Sequence, residues 1–211
     1  MLPVLLDDGE RAYAGRLRAP RDRDRYVVAH GALRSILGAY LQVNPASLEF
    51  ERTRFGKPSL ADAAHAWLQF NTSRSGGLMA CAVARNAPVG VDVEEIAAAE
   101  DTREDSRFSA AERAALANTP PDSRAAAIAA CWTRKEAFVK ARGQGVSLAF
   151  ESFDVSVPPE APGLIATRPD PDAAARWTLA EIAVPEGYTG TVAIEGEGWR
   201  ITPRVWPDDL K

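Results

Sequence analysis

The stretch that decides the fold is Val89-Gly90-Val91-Asp92-Val93-Glu94, in which apolar and acidic residues alternate. Successive side chains of a strand point to opposite faces, so Val91 and Val93 are predicted to face the core, and Asp92 and Glu94 the other side. The two carboxylates would lie about 6.6 Å apart along the strand. Carboxylates are hard oxygen ligands that suit Mg²⁺. The residues alone leave a second interpretation open, a half-buried strand with a hydrated acidic face.

A second stretch, Trp132-Thr133-Arg134-Lys135-Glu136-Ala137-Phe138-Val139-Lys140, follows about 40 residues later. It lies in a helix predicted over Ser123–Arg142, which places Trp132, Glu136 and Lys140 on one face. An aromatic residue beside the charged pair indicates that this face packs. The alternative is an exposed i,i+4 pair, worth only ~0.2–0.5 kcal/mol. Lys135 points elsewhere, and the pattern predicts no role for it.

The remaining elements are mixed in type. A helix is predicted over Asp22–Leu41, and Ser109 with Glu112 forms a capping box that opens another. Residues 71–77 read as a polar loop, either an ordinary turn or an anion site built from backbone N–H groups and Arg74. Leu78–Ala84 and Val89–Glu94 read as a hairpin. Further strands are predicted over 67–70, 150–157, 177–184, 188–194 and 198–205. Strands clustered late in the chain favour an α+β fold.

Composition narrows the class of protein. The 211 residues are 46% hydrophobic and 26% charged, which is typical of a globular chain. The longest apolar run is far shorter than the ~20 residues of a membrane span. A pI near 5.3 argues against a dedicated nucleic-acid binder. Residues 1–60 nevertheless carry a net charge of +3, which favours an anionic ligand or partner there. Cys81 and Cys131 read as buried thiols of a cytoplasmic protein.

Together the motifs resemble the Sfp-type 4′-phosphopantetheinyl transferases, whose signatures are a V/I-G-V/I-D-x-E strand and a W-S/T-x-K-E-A/S-x-x-K helix. The resemblance covers about residues 10–157. It also includes the segments 25–34, Gly56-Lys57-Pro58, Phe70-Asn71-Thr72-Ser73, Gly143-Gln144-Gly145-Val146 and Phe153-Asp154-Val155. One position departs from the family, because Arg74 stands where F-N-x-S-H-S has histidine. Arginine can still bind phosphate, through two parallel hydrogen bonds.

The resemblance implies an α+β monomer of two similar half-domains, residues 1–103 and 104–211, related by a pseudo-twofold axis with the active site in the cleft between them. It implies an enzyme of the holo-[acyl-carrier-protein] synthase type. Such an enzyme moves the 4′-phosphopantetheine group from coenzyme A to a serine of an acyl- or peptidyl-carrier protein and releases 3′,5′-ADP. The reaction depends on Mg²⁺ and involves neither nucleic acid nor a membrane.

The resemblance also implies roles for individual residues. Asp92, Glu94 and Glu136 would hold Mg²⁺, with Glu136 also the favoured base and Lys140 stabilising charge. Coenzyme A would contact Arg25, Lys57, Pro58, Ser73, Arg74, Asp92 and Lys140, and possible further site residues are Arg34 and Glu112. Glu112 is equally explained as a capping-box residue. A carboxylate that binds Mg²⁺ is a weaker base, so the two roles of Glu136 are in tension.

Two alternatives of other classes stay open. A Mg²⁺-dependent phosphohydrolase would use the same carboxylates and release phosphate or nucleotide without a carrier protein. A non-catalytic coenzyme A-binding module would bind its ligand without Mg²⁺, and the Glu136 and Lys140 pair argues against it.

Overall fold

The computed structural model describes residues 2–99, 107–143, 145, 148–168 and 170–207. The chain divides into two compact units. The first comprises Met1–Glu51, Leu60–His65 and Thr202–Lys211, and the second comprises Arg52–Ser59 and Ala66–Ile201. These units differ from the expected halves, whose boundary between residues 103 and 104 lies outside the described residues. Within the described ranges, no helix combines the length and the apolar character needed to cross a lipid bilayer.

The first unit contains two helices, α1 (Asp8–Arg16) and α2 (Pro20–Leu41). Helix α2 confirms the helix predicted over Asp22–Leu41, and its first residue is a proline, which has no N–H to leave unsatisfied. Asp7 begins α1 with a capping box, because its carboxylate accepts from the Glu10 N–H at 2.8 Å and the Glu10 carboxylate accepts from the Asp7 N–H at 3.0 Å.

Arg34 fastens the two helices together. Its guanidinium is 0% exposed and donates to the carboxylates of Asp7 at 2.6 Å and Glu10 at 2.7 Å. A third bond runs to the Leu48 carbonyl at 2.8 Å. A buried charge needs such partners to be tolerated. The arrangement leaves Arg34 no exposed surface for coenzyme A, and its role in the structure is to join α1 to α2.

Within the described residues, strands of three to eight residues form four sheets. Their bounds are β1 (Phe50–Arg52), β2 (Pro58–Leu60), β3 (Leu68–Ser75), β4 (Leu78–Arg85), β5 (Val89–Glu95), β6 (Phe153–Val155), β7 (Leu164–Thr167), β8 (Trp177–Glu181) and β9 (Tyr188–Glu195). Strand β1 pairs with β2, β3 with β4 and β6 with β7, whereas β5, β9 and β8 form a three-stranded sheet in that order. The remaining helices are α3 (Ile96–Ala99), α4 (Ala110–Ala117) and α5 (Pro121–Arg142). The presence of both helices and strands confirms the α+β class.

Three sequence predictions about strands are wrong. The hairpin predicted between Leu78–Ala84 and Val89–Glu94 does not form, since β4 pairs with β3 and β5 pairs with β9. The polar stretch 71–77 is not a loop. Residues 71–75 end strand β3, and Gly76, at φ +54°, begins the tight turn into β4. The predicted strand over 198–205 is absent from the described part of that segment.

Helix α5 lies directly against the sheet formed by β5, β9 and β8. A Cβ atom added to Gly90 of β5 would lie 2.1 Å from the Ala137 carbonyl oxygen and 2.3 Å from the Ala141 nitrogen, so only glycine allows this approach. The Thr133 hydroxyl on α5 also bonds to the Thr191 hydroxyl on β9 at 3.0 Å. Apolar side chains of α5 and of the segments packed against it complete the core, among them Phe108, Leu116, Cys131, Phe138, Phe153 and Trp177.

Candidate active site

An open cleft of about 390 Å³ lies in the second unit. It is lined by Thr72, Ser73, Arg74, Asp92, Glu94, Trp132, Glu136 and Lys140. Six of these residues were predicted as site residues, and Trp132 was predicted to share their helix face. The structure therefore brings the two decisive sequence stretches together at one place.

Strand β5 delivers Asp92 and Glu94 to the cleft. Val91 and Val93 are 1% and 0% exposed, as the alternating pattern predicts. Asp92 is itself only 1% exposed, whereas Glu94 is half-buried. The interpretation as a hydrated acidic face is therefore wrong for Asp92. A carboxylate in such a place requires compensation by hydrogen bonds or a cation.

Lys140 and Ser73 supply part of that compensation. The Lys140 ammonium lies 2.6 Å from Oδ1 of Asp92 and donates to the Ser73 hydroxyl at 3.0 Å, and Ser73 donates to the same Oδ1 at 2.6 Å. Oδ2 of Asp92 is buried and has no hydrogen-bond partner within the described part of the chain. Burial raises the pKa of Asp92, and the Lys140 charge opposes that rise. Ser73 was predicted to bind coenzyme A, and here its hydroxyl is turned to Asp92.

Helix α5 delivers Trp132, Glu136 and Lys140. These three are partly exposed, while the residues between them are buried, so they form one face at a spacing of four residues. Trp132 stacks on Phe150 with ring centroids 5.1 Å apart, which confirms that this face packs. Burial raises the pKa of Glu136, Lys140 and Arg107 act to lower it, and the charges of Asp92 and Glu94 raise it further. A carboxylate with a raised pKa is a stronger base.

The donor set of the cleft suits a hard divalent cation. Within the described ranges, no three His, Cys, Asp or Glu side chains converge into a complete metal-binding group. Mg²⁺ in proteins is commonly held by one or two carboxylates, with substrate phosphates and water completing its shell. Asp92, with its unpartnered buried oxygen, fits such a partial site. Glu94 and Glu136 line the same cleft.

Glu112 and Lys135 form a buried pair away from the cleft. The Lys135 ammonium donates to both Glu112 oxygens at 2.7 and 2.8 Å and to the Phe153 carbonyl at 2.8 Å, which uses all three of its protons. Glu112 also accepts from the N–H groups of Ser109 and Val155, both at 2.8 Å. The pair ties α4, α5 and β6 together. It gives Lys135 the role that the sequence left open and shows that Glu112 is the capping-box residue.

The other residues predicted to bind coenzyme A lie outside the cleft lining. Lys57 is half-buried and donates to the carbonyls of Val89 at 2.9 Å and Ala141 at 3.4 Å, so it joins the start of β5 to the last turn of α5. Burial lowers its pKa to about 8. Pro58 begins β2 and is half-buried. Arg25 is an exposed residue of α2 in the first unit.

Sequence reasoning missed two residues of the cleft region. Thr72 lines the cleft beside Arg74, two residues away on β3. The period-2 pattern of a strand would have shown this if the segment had not been taken for a loop. The Arg107 guanidinium lies 5.6 Å from the centre of the Trp132 ring. No local sequence pattern links Arg107 to Trp132, because the two residues belong to different elements.

The chain is similar in sequence to several known proteins. The profile of the 4′-phosphopantetheinyl transferase superfamily matches residues 88–193, which include Asp92, Glu94, Glu136 and Lys140. The transferase HetI of Nostoc sp. is 33% identical over 97% of this chain and 84% of its own length. Sfp of Bacillus subtilis is 28% identical over 69% of this chain, which spans only 64% of Sfp.

Two further similarities are weaker in coverage. The transferase psf-1 of Bacillus pumilus is 33% identical over 68% of this chain and 60% of its own length. Among solved structures, the holo-[acyl-carrier-protein] synthase of Thermotoga maritima overlaps 53% of this chain and 64% of its own, at 20% identity and a TM-score of 0.42. From the HetI match and the profile match, the chain belongs to the 4′-phosphopantetheinyl transferase superfamily.

Proposed function

We propose that this chain transfers the 4′-phosphopantetheine group from coenzyme A to a serine of an acyl- or peptidyl-carrier protein, with release of 3′,5′-ADP. The observation that carries the proposal is the arrangement of Lys140, Asp92 and Glu136, which places a cation, a buried carboxylate and a carboxylate of raised pKa in one cleft. Reaction of the holo-[acyl-carrier-protein] synthase type is the finer proposal. The relatives HetI and Sfp are both named 4′-phosphopantetheinyl transferases, which supports phosphopantetheinyl transfer in general.

The cleft can hold the charged part of coenzyme A. Arg74 is exposed at the cleft and offers a guanidinium fork that matches phosphate oxygens, while Lys140 offers a compact ammonium. Arg25 and Lys57 are further proposed contacts, supported by their places in the family motifs. For Lys57 the proposal competes with its two backbone bonds, which a phosphate would have to replace.

Glu136 is proposed to take the proton of the acceptor serine. The serine oxygen then attacks the phosphorus that carries the pantetheine arm, and the bond from that phosphorus to the oxygen of the departing 3′,5′-ADP breaks. Lys140 stabilises the negative charge that develops on the phosphate oxygens. Bound Mg²⁺, held by Asp92 with Glu94 and Glu136 nearby, would supply charge neutralisation at the pyrophosphate.

The decisive experiment is mass spectrometry of an apo carrier protein incubated with the enzyme, coenzyme A and Mg²⁺. We expect the carrier to gain the mass of one phosphopantetheine group. Glu136→Ala should abolish the gain while coenzyme A still binds, and Glu186→Ala, which removes an exposed carboxylate, should not change it. Near-normal turnover by Glu136→Ala would contradict the assigned base.

The same mixture separates the alternatives. A phosphohydrolase would release nucleotide or phosphate without any carrier, and a coenzyme A-binding module would bind its ligand but leave the carrier unmodified. We further propose that the enzyme acts as a monomer in the cytoplasm, where coenzyme A and carrier proteins meet. The excess of positive charge in residues 1–60 suits an acidic carrier.

A further inference from the structure

Strands β3 and β5 are joined by side chains. The Asn71 amide oxygen accepts from the Val91 N–H at 2.9 Å, and the Ser73 hydroxyl donates to Asp92 at 2.6 Å. These bonds join residues 20 and 19 positions apart, so the two segments run in the same direction. The next inward-facing residue of β3 is Ser75, for which neither the sequence nor the comparisons assign a role.

The Ser75 hydroxyl is held between two groups of β5. It accepts from the Glu95 N–H at 3.0 Å and donates to Oε2 of Glu94 at 2.8 Å. A serine hydroxyl has one proton, and the bond from the fixed backbone N–H occupies one of its lone pairs. That proton is therefore aimed at Glu94. Ser75 is half-buried, which limits competition from water.

Glu94 needs such a restraint more than Asp92 does. It is half-buried at the edge of the cleft, and its longer side chain loses more conformational freedom when it is fixed. The charge of Glu94 also raises the pKa of Glu136, so the two carboxylates repel each other. This repulsion favours positions of Glu94 farther from Glu136, and the hydrogen bond from Ser75 is one contact that opposes such a movement.

We propose that Ser75 is a positioning residue that holds the Glu94 carboxylate in the cleft, ready to contact a divalent cation. The inference rests on the proposed function, because it is this function that gives Glu94 a cation to bind. Ser75 touches neither substrate nor cation and acts only through Glu94. Ser73 acts on Asp92 in the same way, so each cleft carboxylate of β5 has its own serine on β3.

The test is a titration with Mn²⁺, followed by its electron paramagnetic resonance signal, in the presence of coenzyme A. Ser75→Ala should weaken Mn²⁺ binding about tenfold, the effect of losing a hydrogen bond to a charged group. Ser75→Thr keeps the hydroxyl and should restore binding. The matched control is Thr178→Val, which removes a hydroxyl of β8 that donates to the Gly196 carbonyl at 2.7 Å, and it should bind as the wild type does.

A double-mutant cycle shows whether Ser75 acts through Glu94. In a Glu94→Ala background, which removes the acceptor of the Ser75 hydroxyl, Ser75→Ala should cause no further loss of Mn²⁺ affinity. In transfer assays, Ser75→Ala should raise the Mg²⁺ concentration for half-maximal rate and leave the rate at saturating Mg²⁺ within about twofold, since only cation binding is weakened. A general structural defect would instead lower the rate at every Mg²⁺ concentration.

Three results overturn the inference: wild-type Mn²⁺ affinity in Ser75→Ala, an undiminished loss in the Glu94→Ala background, or a reduced rate at saturating Mg²⁺. They leave the proposed function standing as long as the wild-type protein modifies a carrier. Conversely, if the wild-type protein leaves the carrier unmodified but Ser75→Ala still weakens its Mn²⁺ binding, the proposed function is overturned and the placement of Glu94 is supported.

Discussion

Gly90→Ala is the substitution that most directly tests the joint between β5 and α5. The added Cβ would lie 2.1 Å from the Ala137 oxygen, about 0.9 Å closer than the 3.0 Å that real Cβ contacts respect. The clashing atoms are helix backbone and cannot rotate away. Strand and helix must therefore separate by roughly 0.9 Å. Such overpacking costs about 1–3 kcal/mol, and more where the backbone resists.

The same displacement would disturb the cleft, because Asp92 lies on β5 and Lys140 on α5, with their charged atoms 2.6 Å apart. A misplacement near 1 Å can reduce a rate about 100-fold. We expect urea unfolding to show the loss in the free energy of unfolding, and carrier modification to show the loss in rate. Gly163→Ala is the control, since its Cβ would meet no atom closer than 3.8 Å. Wild-type stability and rate in Gly90→Ala would refute the reasoning.

Three further predictions concern charged groups. Lys135→Met should lower the free energy of unfolding by about 3–5 kcal/mol because it leaves Glu112 buried without its cation. Combining it with Glu112→Gln, which removes the unpaired charge and keeps a side-chain oxygen as acceptor, should recover part of the loss in urea unfolding; additive losses would contradict this. Glu136→Gln should raise that free energy near neutral pH, because burial and the charges of Asp92 and Glu94 disfavour the ionised Glu136 carboxylate. Because burial raises the folded-state pKa of Glu136, the folded protein binds this proton more tightly, so the gain should shrink as the pH falls through that pKa towards the ordinary 4.5, and melting curves that show a gain independent of pH would refute it. Lys57→Met should cost about 1–3 kcal/mol of stability and change the calorimetric Kd for coenzyme A less than Arg74→Ala does; the reverse order would show that Lys57 binds the ligand.

Local periodicity was sufficient to predict which side chains share a face, and the family resemblance supplied their roles as site residues. Asp92 and Glu94 share a face because a strand has a period of two, and Glu136 and Lys140 share one because a helix repeats every 3.6 residues. Both facts depend on residues within one element. They hold whatever the element packs against. That the two pairs meet in one cleft was expected only from the family resemblance, since no local pattern joins β5 to α5.

Contacts between distant segments could not be predicted in this way. Strand β5 pairs with β9, about 100 residues later, although β4 is its neighbour in sequence. The partner of Lys135 is Glu112 on another helix, and the partners of Lys57 are two backbone carbonyls. A buried ammonium can bond to any oxygen that the fold brings near, and the sequence around a lysine does not show which one. The polar strand β3 was misread for the same reason, because its Asn71 and Ser73 are satisfied by β5.

The position of Trp132 gives this cleft an optical signal of its own. The indole lines the cleft, stacks on Phe150, and has the Arg107 guanidinium 5.6 Å from its ring centre. Indole emission shifts with nearby charge and hydration, so an anion that draws Arg107 away or displaces water will change the fluorescence. Trp177 is 9% exposed and packs on Phe138 in the core, where it provides a steadier background. Ligand binding can thus be followed in unlabelled protein, and a Trp132→Phe variant identifies which part of the emission comes from the cleft.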